Sequence, residues 1–203
     1  MKLTMKSILL LVGLFAIHMP SFAELNPDIF IDKNAQAMVQ VITSKQALYY
    51  SDPESFQKEI NIIFEPMVDF RRVGASVMGK QFYMQASKEQ RLKFISVFKK
   101  SLLDTYSSTL AQWGDQTIET KFIKREFFNT TEDVNQLLIT SNNIYPVTYK
   151  VRKNKMGGWL VINIIVNGVN LGLTFRNQFR ALATEYDNDI DEIINNWISD
   201  ASL

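Results

Sequence analysis

Residues 157–179, GGWLVINIIVNGVNLGLTFRNQF, constrain the fold more than any other stretch of the chain. A glycine pair opens it, an almost unbroken apolar run follows, and Asn167-Gly168 supplies the two residues of a tight turn. Beyond the turn, Leu171, Phe175, Arg176 and Phe179 recur at three- and four-residue intervals, so the chain passes from strand to helix. In an extended strand Trp159, Val161 and Ile165 point to one face, and Leu160, Ile162, Ile164 and Val166 to the other. Both faces are apolar, so this strand is covered on both sides or lines a cavity.

The residues before it divide at Gly114. Upstream the apolar period is helical. Asn26-Pro27 starts a helix reaching to about Tyr50, Asp52-Pro53 starts a second that Pro66 ends, and a short third spans Asp69 to about Met78. Gly79–Ala86 reads as a linker. Ser87 and Gln90 form a capping box for the longest helix, about Lys88 to Gln112, with a stripe of Leu92, Ile95, Phe98, Leu102, Tyr106 and Leu110. From Asp115 the period becomes two, giving strands at Thr117–Lys124, Val134–Ser141, Tyr145–Lys153 and Leu160–Val166. Their connections are short and polar, so antiparallel meander pairing is the simplest arrangement. Helices at Leu171–Ala183 and Asp189–Ile198 close the chain. Helices first, then strands, then helices predicts an α+β domain, its helices on one face of a curved antiparallel sheet of about four strands. We expect one domain over residues 24–203, helical over 24–114 and sheet-plus-helix over 115–203.

Lys2 and Lys6, the apolar run Ile8–Ile17 and Ser21-Phe22-Ala23 form a secretory signal peptide over residues 1–23, cleaved after Ala23. The chain has no cysteine, which excludes disulfides and a lipoprotein anchor. Cleavage removes His18, the only histidine, so the mature chain lacks Ser-His-Asp and Cys-His catalysis and N- or S-ligated zinc. Loss of two lysines changes the net charge from +1 to −1, against a nucleic-acid partner.

The candidate acid–base residues are Asp69, Asp104, Asp115 and Glu119, with Tyr83, Tyr106, Tyr145 and Tyr149; no pair has a catalytic spacing. Phosphate-loop, dinucleotide, nucleophile-elbow and metal motifs are absent, and neither a cofactor nor a metal is called for. Basic residues cluster at Lys99-Lys100, Lys121/Lys124/Arg125, Lys150/Arg152/Lys153/Lys155 and Arg176/Arg180. They form solvated faces or docking surfaces for acidic partners or lipid headgroups.

Two blocks carry a resemblance. Val68-Asp69-Phe70, Val77-Met78-Gly79-Lys80, Ala86–Phe94 and Leu102–Tyr106 make the first; Gly157-Gly158-Trp159, Gly168–Leu171 and Phe175–Phe179 make the second. With Pro146-Val147-Thr148-Tyr149 between them, the mature chain resembles the MlaC / toluene-tolerance family from end to end. It departs from the family pattern at Phe82, Asn163, Asn167 and Phe175. The resemblance implies a nuclear-transport-factor-like cone with a lipid-tail pocket. It also implies a soluble periplasmic phospholipid carrier that shuttles lipid between an outer-membrane lipoprotein/porin complex and an inner-membrane ABC-transporter complex, maintaining outer-membrane lipid asymmetry. The alternatives are a small-molecule enzyme of isomerase or dehydratase type on the same fold, or a periplasmic protein-binding module.

Two C16-type chains present on the order of 30 carbon groups, at about 0.8 kcal/mol each, so roughly 24 kcal/mol opposes their exposure to water. Enclosing them calls for a pocket near or beyond ~1,000 Å³, between the sheet and the helices. The expected lining is Phe70, Val73 and Val77 from the short helix, and Phe98, Leu102 and Tyr106 from the long one. The strands are expected to add Val147, Tyr149, Val151, Trp159, Val161 and Ile165. Val169, Leu171 and Phe175 are expected to close the far side.

Overall fold

The computed structural model describes residues 26–200; the signal-peptide segment and its cleavage point lie outside the described residues. Seven helices and five strands follow in the order expected from the change of period: α1 (Pro27–Ser44), α2 (Gln46–Ser51), α3 (Pro53–Met67), α4 (Phe70–Gln85), α5 (Lys88–Ala111), β1 (Thr117–Thr120), β2 (Thr131–Ile139), β3 (Ile144–Lys153), β4 (Trp159–Val166), β5 (Val169–Asn170), α6 (Leu171–Glu185) and α7 (Ile190–Asn195).

Helix starts are set by side-chain caps. Asn26 accepts from the amides of Asp28 and Ile29 ahead of Pro27, Asp52 accepts from Ser55, and Asp69 from Arg72. The Ser87/Gln90 capping box is formed in both directions. The first helix is two, broken at Lys45, and Pro66 stands in the last turn of α3 rather than after it. The expected linker at Gly79–Ala86 is helical to Gln85. Only Gly79 leaves the helix, with φ at 75°, a conformation that glycine reaches without the steric cost of a side chain.

The sheet is antiparallel throughout, in sequential order β1 to β5. The fifth strand is the short return at Val169–Asn170, made possible by a two-residue turn in which Asn167 and Gly168 both have positive φ. β1 ends at Thr120, earlier than expected, and β2 begins three residues earlier, at Thr131. On the β4 edge the chain between α3 and α4 adds a parallel bridge from Val68 to Val161, with the Asp69 amide donating to the Val161 carbonyl at 2.9 Å.

Three apolar clusters hold these layers together. The largest joins α4–α7, where Phe94 meets Phe179 and Trp197 edge to face at 5.3 and 5.2 Å. A second lies under one end of the sheet, with Val134, Val151, Trp159 and Val161 against Ile31 and Met67. The third packs α1, α2 and α3 on α5 around Phe56, Ile60 and Ala111. Between the second and third the concave face of the sheet is not filled.

Candidate ligand cavity

That unfilled space is a cavity of about 380 Å³. It lies near the lower end of ordinary ligand sites rather than near the ~1,000 Å³ expected for two enclosed chains. Its floor is one face of the sheet. Ile118, Gln136 and Leu138 come from β1 and β2, Val147 and Tyr149 from β3, and Val161, Ile164 and Val166 from β4.

The mixture of odd and even positions on β4 has a cause in the register. Val151 lies opposite Val161, but Lys150 lies opposite Asn163, so Ile162 is an extra residue and the strand bulges there. Before the bulge the inward residues are Trp159 and Val161; after it they are Ile164, opposite Tyr149, and Val166, opposite Val147. An uninterrupted period of two puts Ile165 on the inner face. The bulge reverses this, and Ile165 lies opposite Thr148 on the other side.

Asn163, at the bulge, also fixes the roof. Its Oδ1 accepts from the Gly172 amide at 3.0 Å, and its Nδ2 donates to Asn170 Oδ1 at 2.9 Å. Asn170 in turn caps α6 through the Leu173 amide. A Cβ on Gly172 would stand 2.6 Å from Asn163 Oδ1, so this close approach requires glycine.

Ten of the fifteen expected residues meet in the cavity. Phe70 and Val73 come from α4 and Phe98, Leu102 and Tyr106 from α5; Val147, Tyr149 and Val161 come from the sheet and Leu171 and Phe175 from α6. The other five do not line it. Val77 lies one turn past Val73 and is consumed in the α4–α7 cluster. Val151 and Trp159 are on the correct face but at the end plugged by Ile31 and Met67. Ile165 is turned away by the bulge, and Val169 belongs to the short return strand outside the lining. Sequence reasoning missed the α1 wall, formed by Ala35, Met38, Val39 and Ile42, and the α3 contribution of Ile60, Phe64 and Met67. Their helical periodicity was legible, but nothing in it says which face of the fold the helix covers.

Polar groups in the lining are few. Asn34 is tied to its own helix, its Nδ2 donating to the Phe30 carbonyl at 2.8 Å. Gln136 is buried and donates through Nε2 to Thr120 Oγ1 at 2.7 Å. Tyr149 is walled in by protein while part of its ring faces the cavity, and burial pushes its phenol up to about 12.

None of the four candidate carboxylates lines the space. Asp69 caps α4, Asp104 pairs with Lys100 at 2.5 Å on the surface, and Asp115 and Glu119 are exposed. Among the described residues no group of three or more His, Cys, Asp or Glu side chains is placed to hold a metal ion. Several of the basic residues are engaged by the fold. Arg125 bridges buried Asp28 at 2.7 Å and Glu132 at 3.5 Å, Lys99 reaches Glu65 at 2.6 Å, and Arg176 donates to the Ser76 carbonyl at 2.6 Å. Lys121, Lys124 and Lys155 are exposed and make no ion pair among the described residues. No described helix is long and apolar enough to cross a membrane.

Comparison with known proteins gives a consistent result. The family model described as MlaC protein matches residues 32–199. The toluene tolerance protein ttg2D of Pseudomonas putida is 30% identical over 195 residues, covering 95% of this chain and 89% of that protein. The intermembrane phospholipid transport system binding protein MlaC of Haemophilus influenzae is 26% identical over 160 residues, 77% of this chain and 74% of its own length. The fold resembles that of a phospholipid-binding protein from Ralstonia solanacearum, solved in complex with a phospholipid. The TM-score is 0.76 at 22% identity, over 84% of this chain and 93% of that one.

Proposed function

The chain belongs to the MlaC family, and from that premise we propose that it is a phospholipid carrier of the periplasm. In this reading the signal peptide is removed after Ala23 and the protein diffuses as a single soluble domain. It takes lipid at one membrane complex and yields it at another, an outer-membrane lipoprotein/porin assembly and an inner-membrane ABC transporter, and so maintains outer-membrane lipid asymmetry.

The observation that carries the reading is the lining of the cavity: it holds no carboxylate, lysine or arginine. Such a surface offers nothing to a developing charge and everything to a hydrocarbon chain, at about 25 cal/mol per Å² removed from water. The cavity residues named above are proposed to contact acyl chains, while the headgroup stays near solvent because burying an unpaired phosphate is costly. Release requires no chemistry, only a partner that favours a conformer with weaker lipid contacts.

Organic extraction of protein purified from the periplasm, followed by lipid analysis, tests this. About one phospholipid per chain is expected, and its loss in Val147→Trp, which places an indole in the cavity. A lipid-free preparation, or unchanged lipid occupancy in that variant, would rule out the proposal.

A further inference from the structure

At the plugged end of the sheet two loops leave side by side, 121–130 between β1 and β2 and 154–158 between β3 and β4. They are neighbours because Thr131 pairs with Arg152 and the Lys153 amide donates to the Thr130 carbonyl at 2.9 Å. Phe122, Ile123 and Phe127 on the first loop and Met156 on the second face solvent, between 47% and 91% exposed. A single exposed apolar side chain is ordinary, but four on two adjacent loops mark a surface that meets something.

The first loop is pinned from below. The Ile123 amide and Arg125 Nη1 both donate to Asp28 Oδ2, at 3.0 and 2.7 Å, and that carboxylate is fully buried at the start of α1. Arg125 Nη2 donates to the Asp133 carbonyl at 3.1 Å, Glu132 Oε1 accepts from the Asn129 amide at 2.6 Å, and Lys153 Nζ donates to the Phe128 carbonyl at 3.3 Å. Phe128 turns inward, edge-on to Trp159, while its neighbour Phe127 turns outward. A buried ion pair is a costly way to gain stability. Here it holds a loop whose outer side chains contribute nothing to the core, so those side chains are presented in a fixed arrangement and lose little freedom on binding.

The charge between the apolar tips has one sign. Arg125 is neutralised by Asp28 and Glu132, and Lys150 by Asp133. Lys121, Lys124 and Lys155 remain exposed and without an ion pair among the described residues, against Glu126 as the one carboxylate on the two loops. Aromatic and aliphatic tips flanked by lysines match an anionic bilayer, where the tips enter the headgroup layer and the ammonium groups stay level with the phosphates. An acidic protein would answer the lysines too. Tips on separate loops, however, suit a deformable layer better than a rigid partner, which needs continuous packed area.

We propose that loops 121–130 and 154–158 form a foot that docks the protein on anionic membrane, with Phe122, Phe127 and Met156 in the headgroup layer and Lys121, Lys124 and Lys155 over its phosphates. The inference uses no residue of the cavity and goes beyond the carrier reading: it says which end of the domain rests on a lipid surface.

Co-sedimentation of the protein, as purified from the periplasm, with vesicles of phosphatidylcholine alone or mixed with phosphatidylglycerol tests this. Binding to the anionic vesicles is expected, and its loss at high ionic strength. The triple variant Lys121→Gln, Lys124→Gln, Lys155→Gln should bind about a hundredfold more weakly, about fivefold for each charge. Phe122→Ser combined with Phe127→Ser should bind about tenfold more weakly. All five side chains are exposed, so both variants should keep the circular dichroism and the bound phospholipid of the unaltered protein. Equal binding to the two kinds of vesicle, or undiminished binding by either variant, overturns the proposal. Absence of binding to both vesicles overturns it as well, and a loss of lipid transfer in the same variants would then assign the loops to a protein partner. None of these outcomes touches the carrier reading, which falls only if the purified protein holds no phospholipid.

Discussion

Towards the β3–β4 hairpin, the concave face of the sheet carries Val134, Val151, Trp159 and Val161, packed solid beneath Ile31 and Met67. Further along the same strands, Gln136, Val147, Tyr149, Ile164 and Val166 face a void. The two halves share strands, register and hydrophobicity. They differ in what α1 brings to each. Ile31 fills its place, whereas one turn later Ala35 offers a single methyl, and the gap passes to Met38 and Val39. A cavity here is therefore not a break in the hydrophobic pattern. It is the same pattern with too little volume delivered from the opposite layer.

The sharpest test of this contrast is truncation in each half. Trp159→Ala empties a site that is fully occupied, with Phe128 edge-on at 6.2 Å and Lys153 over its ring at 5.1 Å. It should cost about 3–5 kcal/mol in urea unfolding of the lipid-free protein. Ile164→Ala removes atoms that already border empty space and have fewer contacts to lose, so about 1 kcal/mol is expected. Equal losses at the two positions would mean that the hollow is filled in solution.

The same contrast explains how much could be read from the sequence. The two-faced apolar strand, the Asn167-Gly168 turn and the capping box at Ser87 are local signals, set by neighbouring residues, and each is found where the sequence puts it. Cavity residues on α4, α5 and α6 were legible because they form the inward stripes of helices next to the sheet. Three things were not. The bulge at Ile162 depends on pairing with β3, although Asn163 in the middle of an apolar run is its trace: that polar side chain is spent on Gly172 and Asn170. The role of α1 depends on packing across 80 to 90 residues of sequence, seen in the contacts Gln36 to Ile118 and Asp32 to Thr120. The plug at Trp159 is a matter of volume, and periodicity carries no volume.

A second test asks whether the hollow is as dry as the filled half. Tyr149 borders it, and its pKa is raised from 10 to about 12 by desolvation alone. Below pH 10 the folded and unfolded chains both hold this proton. Between about 10 and 12 the unfolded chain releases it while the folded chain keeps it. Stability should then fall by about 1.4 kcal/mol per pH unit, of order 2–3 kcal/mol in all. Tyr149→Phe should lack this component, so the difference in unfolding free energy between the two proteins should drift across that window. A difference independent of pH would mean that water floods the cavity and the phenol titrates normally.

The smallest expected effect is the most discriminating, because its sign differs between the two halves. Val134 is fully buried in the plugged end, and Val134→Leu forces an extra methylene into a filled site, at a cost of about 1–3 kcal/mol. Ala35→Leu adds three carbons facing the void. Each could gain about 0.8 kcal/mol of burial, reduced by the leucine rotamer entropy and imperfect packing, so a net stabilisation of about 1 kcal/mol is expected for the lipid-free protein. That gain must come at the expense of ligand volume, so the same variant should bind a C16 chain about tenfold more weakly. The pairing of the two results is what matters. Stabilisation with unchanged lipid affinity would place the acyl chain elsewhere. Destabilisation would mean that α1 already seals the sheet at Ala35, and the two halves of the face would then be alike.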